Sequence, residues 1–147
     1  MKTILFIGII VVIAFGLYSF KKPKLDFKAD AKEGIHFFKG TFQEALQRAK
    51  SENKPLFLDF YATWCGPCKQ LKKHTFSDKE VGEYYNANFI NIAIDGETKE
   101  GRELVNKYKI RSYPTLLILD PNGNKLTSHV GFVKPYILIN FGKRIVP

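Results

Sequence analysis

The chain of 147 residues has 45% hydrophobic and 25% charged residues, a composition typical of one globular domain. Its net charge is +9, but no basic stripe interleaves with aromatic residues, so we expect no binding to nucleic acid. Two cysteines are too few for a disulfide framework, and the three histidines do not complete a zinc-ligand spacing. We therefore expect neither a metal nor another cofactor.

An apolar segment opens the chain. Residues 3–20 carry no charge, and as a helix they would rise about 27 Å, close to the thickness of the hydrocarbon core of a bilayer. We predict a transmembrane anchor or signal segment at residues 1–20, a linker at 21–34 and a folded domain at 35–147. A small-x-small pattern at 14–16 would permit cleavage, whereas the apolar run that continues to residue 20 favours an uncleaved anchor.

The charges that flank this segment conflict over its orientation. The positive-inside rule weighs Lys2 against the lysines at 21, 22, 24 and 28, which would keep the domain in the cytoplasm. Exported domains also begin with a basic residue and a short apolar segment. We expect an extracytoplasmic domain, because a cytosolic protein whose two cysteines act as a dithiol has less need of such a segment.

The first elements of the folded part are predicted from local patterns. Residues 35–40 are a candidate short strand, and a capping box formed by Thr41 and Glu44 begins a helix that ends near Asn53. The nearly continuous apolar run at 55–62 predicts a strand that is covered on both faces.

Helices are predicted to alternate with a strand in the middle of the chain. A helix should run from residue 65 or 66 to about 75, and a second capping box at 77–80 should begin a helix that ends near 86. Residues 89–95 form a second buried strand, and 98–108 have a helical pattern.

The C-terminal elements complete an α/β domain. Strands at 114–120 and 125–131 flank a Pro-Asn-Gly-Asn turn and should form a hairpin, and Pro135 opens a final helix. The order βαβα(α)βαββα predicts parallel strands with right-handed crossovers, and the hairpin adds an antiparallel edge.

Cys65 and Cys68 lie where the strand at 55–62 gives way to a helix. Sites collect at this end of the strands in open α/β sheets, and the free N–H groups of a helix N-terminus stabilise a thiolate. We expect Cys65 to be exposed and nucleophilic, and Cys68 to be more buried and to resolve a mixed disulfide. A loop of about four residues removes little unfolded-state entropy, so a stabilising role is not expected.

The sequence around the cysteines resembles the thioredoxin family. The resemblance is carried by residues 59–69, which contain Trp-Cys-Gly-Pro-Cys, together with 113–115 and 130–131, and it covers roughly 35–145. Residues 74–81 are similar to the branch that contains the C-terminal domain of the membrane thiol:disulfide interchange protein. The resemblance implies a thioredoxin fold, with a central mixed sheet flanked by helices and a redox disulfide between the two cysteines.

Family membership would also give roles to individual residues around the dithiol. Asp59 matches the buried acid beneath the resolving cysteine, where burial should raise its pKa and allow proton exchange with Cys68. Pro114 matches the cis-proline, and Tyr113 before it would offer backbone groups to an extended substrate.

The remaining substrate-binding positions implied by the resemblance are Trp64, Gly66, Pro67 and Gly131. One departure concerns position 91, where Asn91 stands in place of a lysine that many cytosolic members have near the buried acid. The lysines at 69, 72 and 73 are expected to be solvated. The phenylalanines at 37, 38, 89 and 132 are expected to serve the core or other packing and not recognition.

The expected activity is that of a protein-disulfide reductase, a thiol–disulfide oxidoreductase. The Gly-Pro pair resembles that of reducing members, so we expect reduction of disulfides in extracytoplasmic partner proteins. An exported reductant needs electrons, so we expect a membrane dithiol donor. We expect the protein to be a monomer. Two alternatives stay open, which are a dedicated reductase for cytochrome c maturation and a non-catalytic docking module with the same fold.

Overall fold

The computed structural model describes residues 32–147. The predicted membrane segment at 3–20 and most of the predicted linker lie outside the described residues. From residue 32 to the end, no helix is both long enough and apolar enough to cross a bilayer.

Residues 35–39 form an irregular segment, so the predicted strand at 35–40 is wrong. Ile35 N donates to Phe76 O (2.7 Å), whereas Phe38 N donates to Asn91 O (2.7 Å). The segment therefore bonds to two different elements instead of forming a ladder with one strand. The apolar pattern that suggested a strand reflects the burial of Ile35 and Phe37, which are 1% and 6% exposed.

Helix α1 (Phe42–Glu52) has the capping box predicted from its sequence. Thr41 Oγ1 accepts a hydrogen bond from Glu44 N (3.2 Å), and the Glu44 carboxylate accepts one from Thr41 N (2.7 Å). The helix stops at Asn53, whose φ of 49° is left-handed. Both boundaries agree with the prediction, because both depend on residues that are neighbours in sequence.

A four-stranded mixed sheet forms the centre of the domain, with the order β2-β1-β3-β4. The strands are β1 (Leu56–Tyr61), β2 (Ile90–Asp95), β3 (Thr115–Leu119) and β4 (Lys125–Val130). β1 and β2 are parallel, while β3 is antiparallel to β1 and β4 is antiparallel to β3. The predicted hairpin of β3 and β4 is confirmed.

The direction of β3 differs from the expectation that strands joined through helices are parallel. Tyr61 pairs with Asp95 at the end of β2, and Phe60 pairs with Thr115 at the start of β3. β3 therefore starts at the sheet end where β2 stops. Helix α4 (Lys99–Tyr108) and residues 109–114 lead away from that end and back to it, and a helical pattern alone does not reveal the return.

The helices cover both faces of the sheet, as the all-buried sequence of β1 predicted. One face, which carries Leu56, Leu58 and Phe60, packs against α1 and α4. The other face, which carries Phe57 and Tyr61, packs against the remaining helical elements. These are α2 (Gly66–Leu71), a π-helical turn (Lys72–Phe76), α3 (Lys79–Asn88) and α5 (Pro135–Lys143).

Two details of the helical region depart from the predicted boundaries. The helix after the cysteines is α-helical only to Leu71 and continues as the π-helical turn. The cap of α3 is Asp78, whose carboxylate accepts from Val81 N (3.1 Å), and is not the predicted Ser77. The Ser77 hydroxyl instead donates to Lys73 O (2.6 Å), so it is already engaged in closing the preceding turn.

Candidate functional site

The two cysteines lie between the end of β1 and the start of α2, as predicted. They form a disulfide with an Sγ–Sγ distance of 2.09 Å and a Cα–Cα distance of 5.3 Å. Cys65 is the N-cap of α2, and its Sγ accepts a hydrogen bond from Cys68 N (3.2 Å). A backbone donor therefore points at the sulfur that would carry negative charge after reduction.

The expected exposure of Cys65 is wrong for this disulfide form. Cys65 is 2% exposed and Cys68 is 1% exposed, and both belong to the core beneath α2. The bond to Cys68 holds the Cys65 sulfur against a residue of the core. The neighbours Trp64, Gly66 and Pro67 are exposed, so the backbone around the disulfide reaches the surface even though the sulfurs do not.

Asp59 lies in the middle of β1 and is 2% exposed. Because side chains alternate along a strand, Asp59 faces the same side of the sheet as Phe57 and Tyr61, which is the side that packs against the disulfide. Its Oδ1 is buried and accepts no hydrogen bond. Desolvation raises the pKa of Asp59 to about 7, against an opposing effect of the Lys72 charge. The expected direction of this pKa shift is confirmed.

Lys72 is a site residue that the sequence interpretation missed. It was expected to be solvated, but its Nζ is shielded from solvent in the structure. The available signal was spacing, since residue 72 follows Cys68 by four positions and so shares its helix face. Asn91, in contrast, has a structural role, because its Nδ2 donates to Tyr85 O (3.3 Å) and Asn86 Oδ1 (3.3 Å).

A second group of predicted residues converges beside the dithiol. The Tyr113–Pro114 peptide bond is cis, as the family resemblance implied. Gly131 N donates to Pro114 O (2.8 Å), and the φ of Gly131 is +96°, a conformation that favours glycine. The rings of Trp64 and Tyr113 meet edge to face with centroids 6.2 Å apart. The structure thus joins Trp64, Tyr113, Pro114 and Gly131 into one surface.

This surface continues into exposed apolar side chains. Trp64 is 66% exposed, Val130 is 60% exposed and Phe132 is 44% exposed. Phe132 was expected to serve the core or other packing. Its exposure excludes a core position, because the residue follows Gly131 in the loop after the edge strand β4. Exposed apolar side chains beside a dithiol provide contact area for another protein.

The candidate functional site is the dithiol surface and not a cavity of the domain. A cavity of about 560 Å³ lies between residues 36–39 and the start of β2, and its lining contains none of the predicted site residues. Between residues 32 and 147, no group of three or more His, Cys, Asp or Glu side chains could hold a metal ion.

Two solved structures illustrate what this chain is similar to. A candidate disulphide-isomerase from Bacteroides thetaiotaomicron is 43% identical, and the match covers 78% of this chain and 94% of that one with a TM-score of 0.68. The oxidised C-terminal domain of DsbD from Neisseria meningitidis is 27% identical, and its match covers 69% of this chain and 90% of that one with a TM-score of 0.60.

The sequence is similar to a curated relative and matches a protein family. The thiol:disulfide interchange protein DsbD of Yersinia pestis (strain Pestoides F) is 35% identical over 81 residues, which are 54% of this chain and 14% of that protein. This chain therefore matches only a small part of the curated interchange protein. The thioredoxin-like domain family matches residues 42–145, which include the dithiol, Asp59 and the cis-proline. This chain belongs to the thioredoxin-like domain family.

Proposed function

We propose that the protein is a thiol–disulfide oxidoreductase that reduces disulfides of partner proteins through Cys65 and Cys68. The observation that carries the proposal is the disulfide at the strand–helix junction, with Cys68 N donating to Cys65 Sγ at 3.2 Å. Membership of the thioredoxin-like domain family supports the same chemistry.

The first step of the reduction is attack by Cys65. In the reduced protein, the Cys65 thiolate is stabilised by the N–H groups at the start of α2. It attacks one sulfur of the partner disulfide, forms a mixed disulfide and releases the other partner sulfur as a thiolate, which takes a proton from water.

The second step is resolution by Cys68. The Cys68 thiol gives its proton to the Asp59 carboxylate, and the Cys68 thiolate attacks Cys65 Sγ. The bond between Cys65 and the partner breaks, the partner leaves as its second thiolate, and the intramolecular disulfide forms. Two electrons have passed from the dithiol to the partner, and the product is the oxidised form that the structure describes.

Partner proteins would bind over the apolar surface beside the dithiol. Trp64 and Phe132 offer exposed apolar area, while Tyr113 and Gly131 adjoin it with backbone groups that can pair with an extended segment. Gly66 and Pro67 complete this surface between the cysteines. The domain acts as a monomer in this proposal, because the site needs no second copy.

We also propose that residues 1–20 anchor the domain, that residues 21–34 link it to the membrane and that residues 35–147 act outside the cytoplasm. The uncharged run at 3–20 supports this arrangement, as does similarity to part of a thiol:disulfide interchange protein. An exported reductant needs a source of electrons, so a membrane dithiol protein is the proposed donor. A reporter fused after Pro147 would test the orientation.

Isomerisation is a second candidate function, because a structure named as a candidate disulphide-isomerase is 43% identical. The two functions differ in their electron balance, since isomerisation returns the dithiol unchanged after each cycle. Refolding of scrambled ribonuclease without added reductant would favour isomerisation, whereas stoichiometric consumption of the dithiol during insulin reduction would favour the reductase.

The test of the proposed function is a trap for the mixed disulfide. Cys68→Ser removes the resolving thiol, so partner proteins should accumulate on Cys65 as mixed-disulfide adducts. These adducts should be visible on a non-reducing gel and should disappear when the sample is treated with reductant. Cys65→Ser is the matched control and should trap nothing. If Cys68→Ser traps no protein and the wild-type protein does not reduce insulin, the function is that of a docking module instead.

A further inference from the structure

A third residue, Lys72, lies at the junction of α2 and the π-helical turn, close enough for its charge to act on Asp59. Lys72 N donates to Cys68 O and to Lys69 O, so Lys72 lies one helical turn after Cys68 on the same face. Side chains on a helix lean toward its N-terminus, which directs the Lys72 side chain over the turn that contains Cys68. Asp59 lies on the sheet face beneath that turn.

Both charged groups are removed from water. The Nζ of Lys72 and the Oδ1 of Asp59 are each shielded from solvent, although they come from different elements. A buried ammonium is costly without an opposite charge, and so is a buried carboxylate. Their burial at one junction is physically consistent if each charge offsets the desolvation of the other.

The other titratable groups around Asp59 do not supply a charge. α2 contributes the disulfide-bonded cysteines, and α3 contributes Tyr85, whose pKa is raised by burial and whose hydroxyl donates to Leu138 O (2.8 Å). β2 contributes Asn91, β3 places Leu116 opposite Asp59, and the buried residues of α5 are Leu138, Phe141 and Gly142. Within residues 32–147, the charge that acts on the Asp59 carboxyl is that of Lys72.

We propose that Lys72 is a positioning residue for the resolution step, holding the Asp59 carboxylate ionised beside Cys68 so that it can accept the Cys68 proton. This inference rests on the proposed function. Position 91 on the neighbouring strand is occupied by the buried, uncharged Asn91. The positive charge comes from Lys72, which lies one helical turn after the resolving cysteine.

The proton balance of the step involves only these groups and the leaving partner. The proton moves from Cys68 Sγ to the Asp59 carboxylate, the new Cys65–Cys68 bond forms, and the bond between Cys65 and the partner breaks. Asp59 then gives the proton to the departing thiolate or to water. Lys72 keeps its protons throughout and changes only how readily Asp59 takes one.

The test compares Lys72→Met with Lys72→Arg, which restores the charge, and with Lys73→Met as a control on the exposed neighbour. Without the ammonium, Asp59 holds its proton to higher pH and fewer molecules have a carboxylate at pH 7. The carboxyl of Asp59, assigned with Asp59→Asn and followed by ¹³C NMR, should titrate about one pH unit higher in Lys72→Met. Lys72→Arg and Lys73→Met should titrate like the wild-type protein.

The rate of the resolution step should change in the same variants as the Asp59 titration. Single-turnover reduction of insulin at pH 7 should slow about fivefold at the resolution step in Lys72→Met, because the ionised fraction of Asp59 falls from about one half to about one tenth. The pH profile of this step should move upward, while alkylation of Cys65 keeps its rate. In an Asp59→Asn background, Lys72→Met should have no further effect on resolution. This comparison also stays informative if the single Lys72→Met variant folds poorly, because the background removes the buried carboxylate.

Two results would overturn the inference. One is an Asp59 titration that is identical in Lys72→Met and the wild-type protein. The other is a resolution step that becomes slower still when Lys72→Met is added to Asp59→Asn. The proposed function fails in a different way, through a wild-type protein that does not reduce insulin. The NMR titration does not depend on that activity, so the two failures can be distinguished.

Discussion

The two faces of β1 have opposite chemistry although they belong to one strand of six buried residues. The face with Leu56, Leu58 and Phe60 is apolar and packs against α1 and α4. The opposite face has Asp59 in the equivalent central position, with a carboxyl oxygen that accepts no hydrogen bond. One face therefore contributes stability, whereas the other accepts an unfavourable buried acid next to the dithiol.

The largest effect on stability is expected on the apolar face. Leu58→Ala removes a side chain that is 0% exposed and should lower the free energy of unfolding by about 2–5 kcal/mol, through lost burial and a residual cavity. Insulin reduction per folded molecule should not change. Urea unfolding checks the first expectation, with Leu126→Ala as the control, because Leu126 is 47% exposed and its loss should cost less than about 0.5 kcal/mol. Similar losses of unfolding free energy in Leu58→Ala and Leu126→Ala would show that the apolar face of β1 does not contribute the expected stability.

On the face of β1 that carries Asp59, a substitution should raise the free energy of unfolding instead of lowering it. Burial raises the pKa of Asp59 from 3.8 to about 7, so between these values the folded protein holds a proton that the unfolded chain releases. The unfolded state then binds fewer protons, and stability falls as pH rises through this window. Asp59→Asn removes the effect, so at pH 8 it should raise the free energy of unfolding by about 2–4 kcal/mol while slowing resolution.

The pH dependence provides the control for Asp59→Asn. Near pH 4 the wild-type Asp59 is protonated in the folded protein and still about 40% protonated in the unfolded chain, so the gain in stability should fall below about 1 kcal/mol. Urea unfolding at pH 4, 6 and 8 measures this trend. If Asp59→Asn is less stable than the wild-type protein at pH 8, the expectation is wrong, and interactions of the ionised carboxylate outweigh its desolvation.

The smallest effect on stability is expected at the surface beside the dithiol. Trp64 is 66% exposed, so Trp64→Ala should change the free energy of unfolding by less than about 0.5 kcal/mol. It should nevertheless raise the KM for insulin several-fold, because the ring is contact area for the partner. Steady-state kinetics test this, with Ile137→Ala, an exposed apolar residue of α5, as the control. Equal KM values for the two variants would place the partner elsewhere.

Local signals in the sequence predicted several parts of the fold correctly. The capping box of α1, the hairpin turn before β4 and the placement of the cysteines after a buried strand each depend on residues within a few positions of one another. The capping of α3 shows the limit of such signals, because Ser77 and Asp78 both suit the cap and only the bond from Ser77 to Lys73 O decides between them.

The sequence by itself determined the dithiol motif, the buried strand that precedes it and the family to which the chain is similar, because these are encoded by short runs of residues. Tertiary structure alone decided that β3 runs antiparallel to β1, that residues 35–39 form no strand and that the Nζ of Lys72 is shielded from solvent near Asp59. The physical reason is that strand direction and the burial of a charge depend on which distant elements pack together. Neighbouring residues in the chain carry little information about that packing.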